Sequence, residues 1–148
     1  MTYRHIQASG DPFAVGVAIG REGARAFHAV VRNLPRFQAL QAWQHSDRLN
    51  EIEAASRQAY PAYMRELDGI AEGAAADFQE IFLWSCRGDL PRAEGFTGAQ
   101  GCTDVMIPAD PVSGAPAVMG HNEDDSPALD GHCFVATVTP DDGMAFTS

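Results

Sequence analysis

Past the first ten residues, the hydrophobic period of this chain changes between Cys86 and Cys102, and that change limits the fold more than any other feature. Before it, apolar residues recur at steps of three and four, as in helices with one buried face. After it they come in short β-branched and aromatic runs separated by turn residues, as in strands joined by hairpins. The first helical pattern runs through Phe13, Val17, Gly20, Ala24, Phe27, Val31 and Leu34, and Asp11-Pro12 opens it with an N-cap residue and a proline at the first helical position. Gly16, Gly20 and Gly23 lower the helix propensity of this segment, so their expected benefit is close approach of a neighbouring backbone. Pro35 interrupts, and a looser helical stretch through Phe37, Leu40 and Trp43 ends at His45. Ser46-Asp47 caps a second long pattern through Leu49, Ile52, Ser56, Ala59, Tyr63, Leu67 and Ile70 that stops near Gly73; Pro61 should kink or split it. Asp77 caps a short third helix with Phe78, Ile81, Phe82 and Trp84.

A short strand is expected at Tyr3 to Ala8. Residues 88–101 carry several glycines and no periodicity, and read as an exposed loop. The later strands are expected at Cys102 to Ile107, Ala117 to Asn122, His132 to Thr139 and Met144 to Ser148. Turn-rich connections join them in pairs: Pro108 to Pro116, and Pro140-Asp141-Asp142-Gly143. The class is therefore α+β, an N-terminal helical segment followed by antiparallel strands.

Charge follows the same division. Residues 1–101 hold all ten Arg against twelve acids, while residues 102–148 hold eight acids and no Arg or Lys; the net charge of −10 therefore divides as −2 and −8. A chain of this balance is a poor partner for nucleic acid. The strand-rich segment reads as half of something whose cations lie elsewhere. Cys86, Cys102 and Cys133 are an odd number without close pairing motifs, which argues against a disulfide framework. No apolar run approaches the roughly 18 residues of a membrane span or forms a signal core, so the expected compartment is the cytoplasm.

The chemistry concentrates where the period changes. In Gly101-Cys102-Thr103-Asp104 a cysteine begins a strand directly after a glycine, so its thiol can reach the preceding carbonyl without a side chain in the way. Such a residue can perform an N-to-S acyl shift, cut its own chain and become a new N-terminus. The freed amine, with a reference pKa of roughly 7.7–8.0, would serve as a base for the adjacent thiol. The alternative is a buried strand cysteine. The second element is Gly120-His121-Asn122-Glu123-Asp124-Asp125 at the end of the next strand. Antiparallel pairing from the turn outward brings Asn122 to Asp124 back beside Cys102, where an amide could serve an oxyanion and a carboxylate could hold an ammonium. A polar turn with Asx caps is the plainer account of that segment.

The chain resembles the acyl-CoA:6-aminopenicillanate acyltransferase (isopenicillin N acyltransferase-like) family of N-terminal-nucleophile hydrolases. The resemblance rests on four segments in the family's order: Gly10-Asp11-Pro12-Phe13-Ala14-Val15-Gly16 with Gly20; Glu66-Leu67-Asp68-Gly69-Ile70-Ala71-Glu72-Gly73-Ala74 with Asp77-Phe78; Gly101-Cys102-Thr103; and Gly120-His121-Asn122-Glu123-Asp124. It implies that Cys102 is the autoproteolytic and catalytic nucleophile, that Gly101 supplies the scissile carbonyl, and that Asp124 lies near the new amine. Asn122 stands at the motif's Asn. Thr103, His121 and Glu123 are candidates for substrate contact or support. The His-Asn-Glu-Asp form is similar to the branch that hydrolyses β-alanyl amines such as carcinine. The implied fold is the front part of an αββα N-terminal-nucleophile hydrolase, with residues 1–101 as a helical pro-part (the α subunit after cleavage) and 102–148 as the start of the β subunit. The family's further strands and oxyanion Asn lie downstream of Ser148, so the expected partners are a small amide or acyl substrate, that downstream part and a second copy of the chain. No metal or organic cofactor is required.

Two other classes compete with this reading. One is a non-catalytic acidic binding or assembly domain in which the Gly101–Cys102 bond stays intact. The other is a metal-dependent hydrolase using His121, Glu123, Asp124, Asp125, Asp130, His132 and Cys133, although no spacing there matches a zinc pattern. Asp104 flanks the nucleophile, and strand alternation turns either it or Thr103 away. Cys86 and Cys133 read as core thiols, and Trp43, Tyr60 and Tyr63 as core or subunit contacts. His5, His28 and His45 carry no partner signature.

Overall fold

The computed structural model describes residues 3–88, 90, 102–122 and 125–148. Strand β1 (Arg4–Gly10) leads into α1 (Pro12–Ala29), whose first turn is closed by the Asp11 carboxylate accepting from the Ala14 amide at 2.8 Å. The apolar periodicity continues to Leu34, but α1 itself stops at Ala29 and a single 3-10 turn, Val31–Asn33, carries the pattern on. Pro35 starts α2 (Pro35–Leu40). Ser46 caps α3 (Asp47–Ala59), its hydroxyl accepting from the Leu49 amide. Pro61 splits the long pattern rather than kinking it: Tyr60 leaves the helical region at φ −135°, ψ 58°, and Pro61 opens α4 (Pro61–Ala74). Ala75 terminates α4 in the left-handed conformation, and Asp77 caps α5 (Phe78–Ser85) through the Gln79 amide at 2.8 Å.

The helices pack through glycine. An ideal Cβ built on Gly16 would sit 2.0 Å from the Glu66 carbonyl oxygen, and one on Gly20 2.2 Å from that of Ile70. From the other side, Gly69 meets the Phe13 carbonyl and Gly73 that of Val17, both at 2.2 Å. Residue numbers rise together along the two contacts, so α1 and α4 run parallel with their backbones touching, close enough for Cα–H to carbonyl contacts. The expected close approach holds at Gly16 and Gly20. It does not extend to Gly23, where a Cβ would meet nothing within 4 Å. His28 fastens the pair: its Nε2 donates to the Ala74 carbonyl at 2.7 Å, and Arg32 donates both to His28 Nδ1 and to the Glu80 carboxylate of α5.

Apolar burial follows the periodic faces. Phe27, Val31, Leu34, Phe37, Ala71 and Ile81 form one cluster, and Leu40, Leu49, Met64, Phe82, Leu83, Cys86 and Leu90 another. Cys86 is thus a core thiol, as expected. Tyr60 and Tyr63 are not core: both are exposed, with ring centroids 6.2 Å apart. Trp43 packs partly buried against the second cluster.

Four further strands follow: β2 (Thr103–Ile107), β3 (Val118–Asn122), β4 (Phe134–Pro140) and β5 (Phe146–Thr147). The expected antiparallel pairing holds for β2 with β3 and for β4 with β5. In addition β1 pairs in parallel with β4, from Arg4 opposite Phe134 to Gly10 opposite Pro140, giving a sheet of order β1-β4-β5. Ala8, Val15, Ala136 and Val138 bury the inner face of that sheet against α1. Cys133 departs from expectation: it precedes β4 instead of lying within it, and its side chain is exposed. The helices with β1, β4 and β5 form one compact unit, and β2 and β3 belong to a second. No helix among the described residues is long and apolar enough to cross a membrane.

Candidate active site

Of the residues singled out in the sequence, Thr103, His121 and Asn122 fall on the hairpin of β2 and β3, and Cys102 directly precedes β2. Thr103, Val105 and Ile107 favour extended backbone, as does Val118, and the connection between the strands is turn chemistry. Asp110 organises that connection: its carboxylate accepts from the Val112 amide at 2.9 Å and the Ser113 hydroxyl at 2.6 Å, and Gly114 takes φ +73°. The hydrogen bond from Ser113, followed by that from Val112, holds the Asp110 carboxyl below the usual carboxylate range. With the turn fixed, the register is Ile107 opposite Val118, Met106 opposite Met119, Val105 opposite Gly120, Asp104 opposite His121 and Thr103 opposite Asn122.

The open end of the hairpin therefore carries Cys102, exposed and directly before β2, beside the rung formed by Thr103 and Asn122. The expectation that strand pairing returns Asn122 to the neighbourhood of Cys102 is met. Alternation puts Thr103 and Asn122 on one face of the ribbon and Asp104 and His121 on the other. Gly101, Glu123 and Asp124, named in the sequence as scissile residue, support and amine partner, lie outside the described residues.

One contact was not anticipated. His121 Nδ1 and Asp104 Oδ1 are 2.7 Å apart across the ladder. The side chains keep 46% and 58% of their exposure. At that exposure the pair contributes at most about 1 kcal/mol to stability, so its interest is chemical. The signal was available in the sequence, because a register that sets Thr103 against Asn122 also sets Asp104 against His121. Considering each residue only as a neighbour of its own motif hid the pair. Among the described residues no three of His, Cys, Asp and Glu stand together as a metal site would require.

An exposed thiol at the end of a strand is placed to react, unlike the buried Cys86. Beside it, Asn122 can donate from its amide to an oxyanion, and an imidazole with one nitrogen held by a carboxylate can exchange a proton through the other.

No family model matches the chain. In comparison with curated proteins, it is 25% identical over 136 residues to the beta-alanyl-dopamine/carcinine hydrolase of Drosophila melanogaster, a match covering 80% of this chain and 32% of that protein. The chain thus spans about a third of the length of the curated relative it matches.

Proposed function

We propose that this chain is the front part of a cysteine N-terminal-nucleophile amidohydrolase or acyltransferase of the isopenicillin N acyltransferase-like family, matured by cleavage between Gly101 and Cys102. The observation that carries the reading is the register that sets Asn122 on the rung next to an exposed Cys102. It supports, independently of the motif resemblance, a shared site built from two segments far apart in sequence. The named activity of the fly protein favours a small amide, such as a β-alanyl amine, as the substrate class.

In the matured protein the Cys102 thiol gives its proton to its own α-amine and the thiolate adds to the substrate carbonyl. The Asn122 amide opposes the charge on the carbonyl oxygen. Collapse of the adduct expels the amine, which takes the proton back, and leaves a thioester on Cys102. Water or an acceptor amine then releases the acyl group. Asp124 holds the ammonium form of the new N-terminus, and Thr103, His121 and Glu123 border the substrate. Residues 1–101 stay bound as the α subunit, because the apolar faces of their helices need cover.

The downstream part of the β subunit is the partner of the hairpin. Val105, Met106, Ile107, Val118 and Met119 are all exposed although they occupy both faces of β2 and β3. A two-stranded ribbon is at best marginally stable in water, so apolar residues on both its faces call for further layers. A reducing cytoplasm is the proposed setting, since the mechanism needs Cys102 as a thiol.

Intact mass spectrometry of the full-length protein tests the proposal. The expected result is two pieces, one ending at Gly101 and one beginning at Cys102, with Cys102→Ala leaving the polypeptide whole and inactive on amides. A wild-type protein that stays uncut would refute the reading and favour a binding or assembly domain.

A further inference from the structure

Cleavage at Gly101–Cys102 creates the amine that serves the mature enzyme, so that amine cannot assist the cleavage itself. In the intact chain the Cys102 nitrogen is a peptide amide without a basic lone pair, and the thiol proton has to go elsewhere. Among the described residues of β2, β3 and the position preceding β2, the titratable groups are Cys102, Asp104 and His121. Asp110 lies at the turn end of the ribbon, engaged by Val112 and Ser113. A carboxylate, ordinarily titrating near about 4, is a poor acceptor for a thiol proton; an imidazole, near about 6.5, is much better matched.

Resting on the function proposed above, we infer that His121, oriented by Asp104, is the base that takes the Cys102 thiol proton in the self-cleavage step. His121 stands directly opposite Asp104, so position 102, one residue before the ladder begins, is its diagonal neighbour. Diagonal positions are separated by about 7–8 Å, a span that a ring side chain bridges. Asp104 Oδ1 lies 2.7 Å from His121 Nδ1 and accepts its proton, which fixes the tautomer with the basic lone pair on Nε2. The same carboxylate opposes the positive charge once Nε2 is protonated.

The step balances without any further reagent than water. The proton leaves Sγ for His121 Nε2, and the thiolate adds to the Gly101 carbonyl carbon. The carbon–nitrogen bond then breaks, and the departing Cys102 nitrogen takes the imidazolium proton to become an amine. The resulting thioester joins Gly101 to Cys102 Sγ, and one water hydrolyses it to a Gly101 carboxylate and a Cys102 thiol. His121 is thus a participant in maturation, and Asp104 a positioning residue that acts through it.

The test follows the appearance of the two pieces after pulsed synthesis of the full-length protein, with acid-quenched samples weighed intact across a pH series. His121→Gln is expected to slow cleavage by on the order of 100-fold and to abolish the rise in rate through the imidazole range. Asp104→Asn should slow it by a smaller factor and displace that rise. Free imidazole should restore cleavage to His121→Ala, which separates loss of the base from loss of the fold. Wild-type rate and pH profile in His121→Gln would overturn the inference. So would a slow variant that keeps the wild-type pH profile and ignores imidazole. If instead the wild-type protein stays whole, or Cys102→Ala is still cut, the underlying function fails and the inference falls with it.

Discussion

The contact of α1 with α4 makes a strong claim about a single methyl group. Replacing Gly16 by alanine sets a Cβ 2.0 Å from the Glu66 carbonyl oxygen, 2.9 Å from its carbonyl carbon and 2.9 Å from the Ile70 nitrogen. All three are backbone atoms of a helix, so no side chain can rotate aside, and the axes must part by more than an ångström. Overpacking of this kind costs typically about 1–3 kcal/mol, and a rigid backbone neighbour puts Gly16 toward the upper end. Against it, alanine gains about 0.8–1.0 kcal/mol of helix propensity over glycine. The expected net loss is about 1–2 kcal/mol. Gly23, on the same helix with nothing within 4 Å, receives the propensity gain alone, and Gly23→Ala should stabilise by about 0.5–1 kcal/mol. The two substitutions are chemically identical, so the roughly 2–3 kcal/mol between them isolates the contact. At this chain length that is several degrees, on the order of 5–10 °C in Tm. Thermal and urea unfolding followed by circular dichroism, in a Cys102→Ala background that removes the proposed nucleophile, would measure it. Gly16→Ala as stable as Gly23→Ala would refute the backbone contact and the parallel packing built on it.

Two further outcomes follow from charges around the same helices. Burial raises the carboxyl pKa of Glu66 on α4, so its ionisation favours the unfolded state. Stability should fall as pH rises from the ordinary carboxylate value through the raised folded one, and Glu66→Gln should raise Tm at neutral pH while matching wild type in acid; equal differences at both pH values would refute the assignment. Arg57 of α3 bridges the Asp68 carboxylate on α4 at 2.9 and 3.1 Å and Glu53 at 2.9 Å, with its guanidinium 4.5 Å from the Phe78 ring centroid. Those hydrogen bonds, chiefly to Asp68, raise its already high pKa. The pairing is part-exposed, so Arg57→Ala should cost only about 1 kcal/mol; Arg57→Lys should recover part of it, because an ammonium cannot form the two-pronged contact. Full recovery by lysine, read from urea midpoints, would show that charge alone matters there.

Much of the fold was legible because local chemistry decides it. Asp11, Ser46 and Asp77 act as caps where the sequence placed them, and prolines at 12, 35 and 61 each begin a helix. The glycines announced a backbone contact but not its partner. Gly69 and Gly73 repeat the spacing of Gly16 and Gly20, and only the packed structure matches the two stripes and leaves Gly23 out. The parallel pairing of β1 with β4 was not legible at all. It joins the two ends of the chain, and nothing in either run of residues specifies a strand so distant as its neighbour. Cys133 differs for a related reason: the strand begins at Phe134, so an expected strand starting two residues earlier, at His132, placed an exposed thiol in the core.

The site was legible to the extent that one number governs it. A hairpin has a single degree of freedom, its register, and a side-chain period of two then assigns every residue to a face. Asp110, Ser113 and Gly114 make the turn that sets the register, so placing Asn122 beside Cys102 needed no tertiary information. The same register determines that Asp104 meets His121, a contact that motif-by-motif reading separates because one residue belongs to the cysteine segment and the other to the asparagine segment. The two faces also divide the chemistry. Asn122 shares its face with Thr103, while His121 lies on the opposite face with Asp104. By the same alternation position 102 shares its face with Asp104 and His121, so the imidazole meets the thiol on that face, while the Asn122 amide would have to reach it over the open end of the ribbon. A register shift of one residue would exchange the two. Register is therefore the property of this hairpin on which both proposed steps depend.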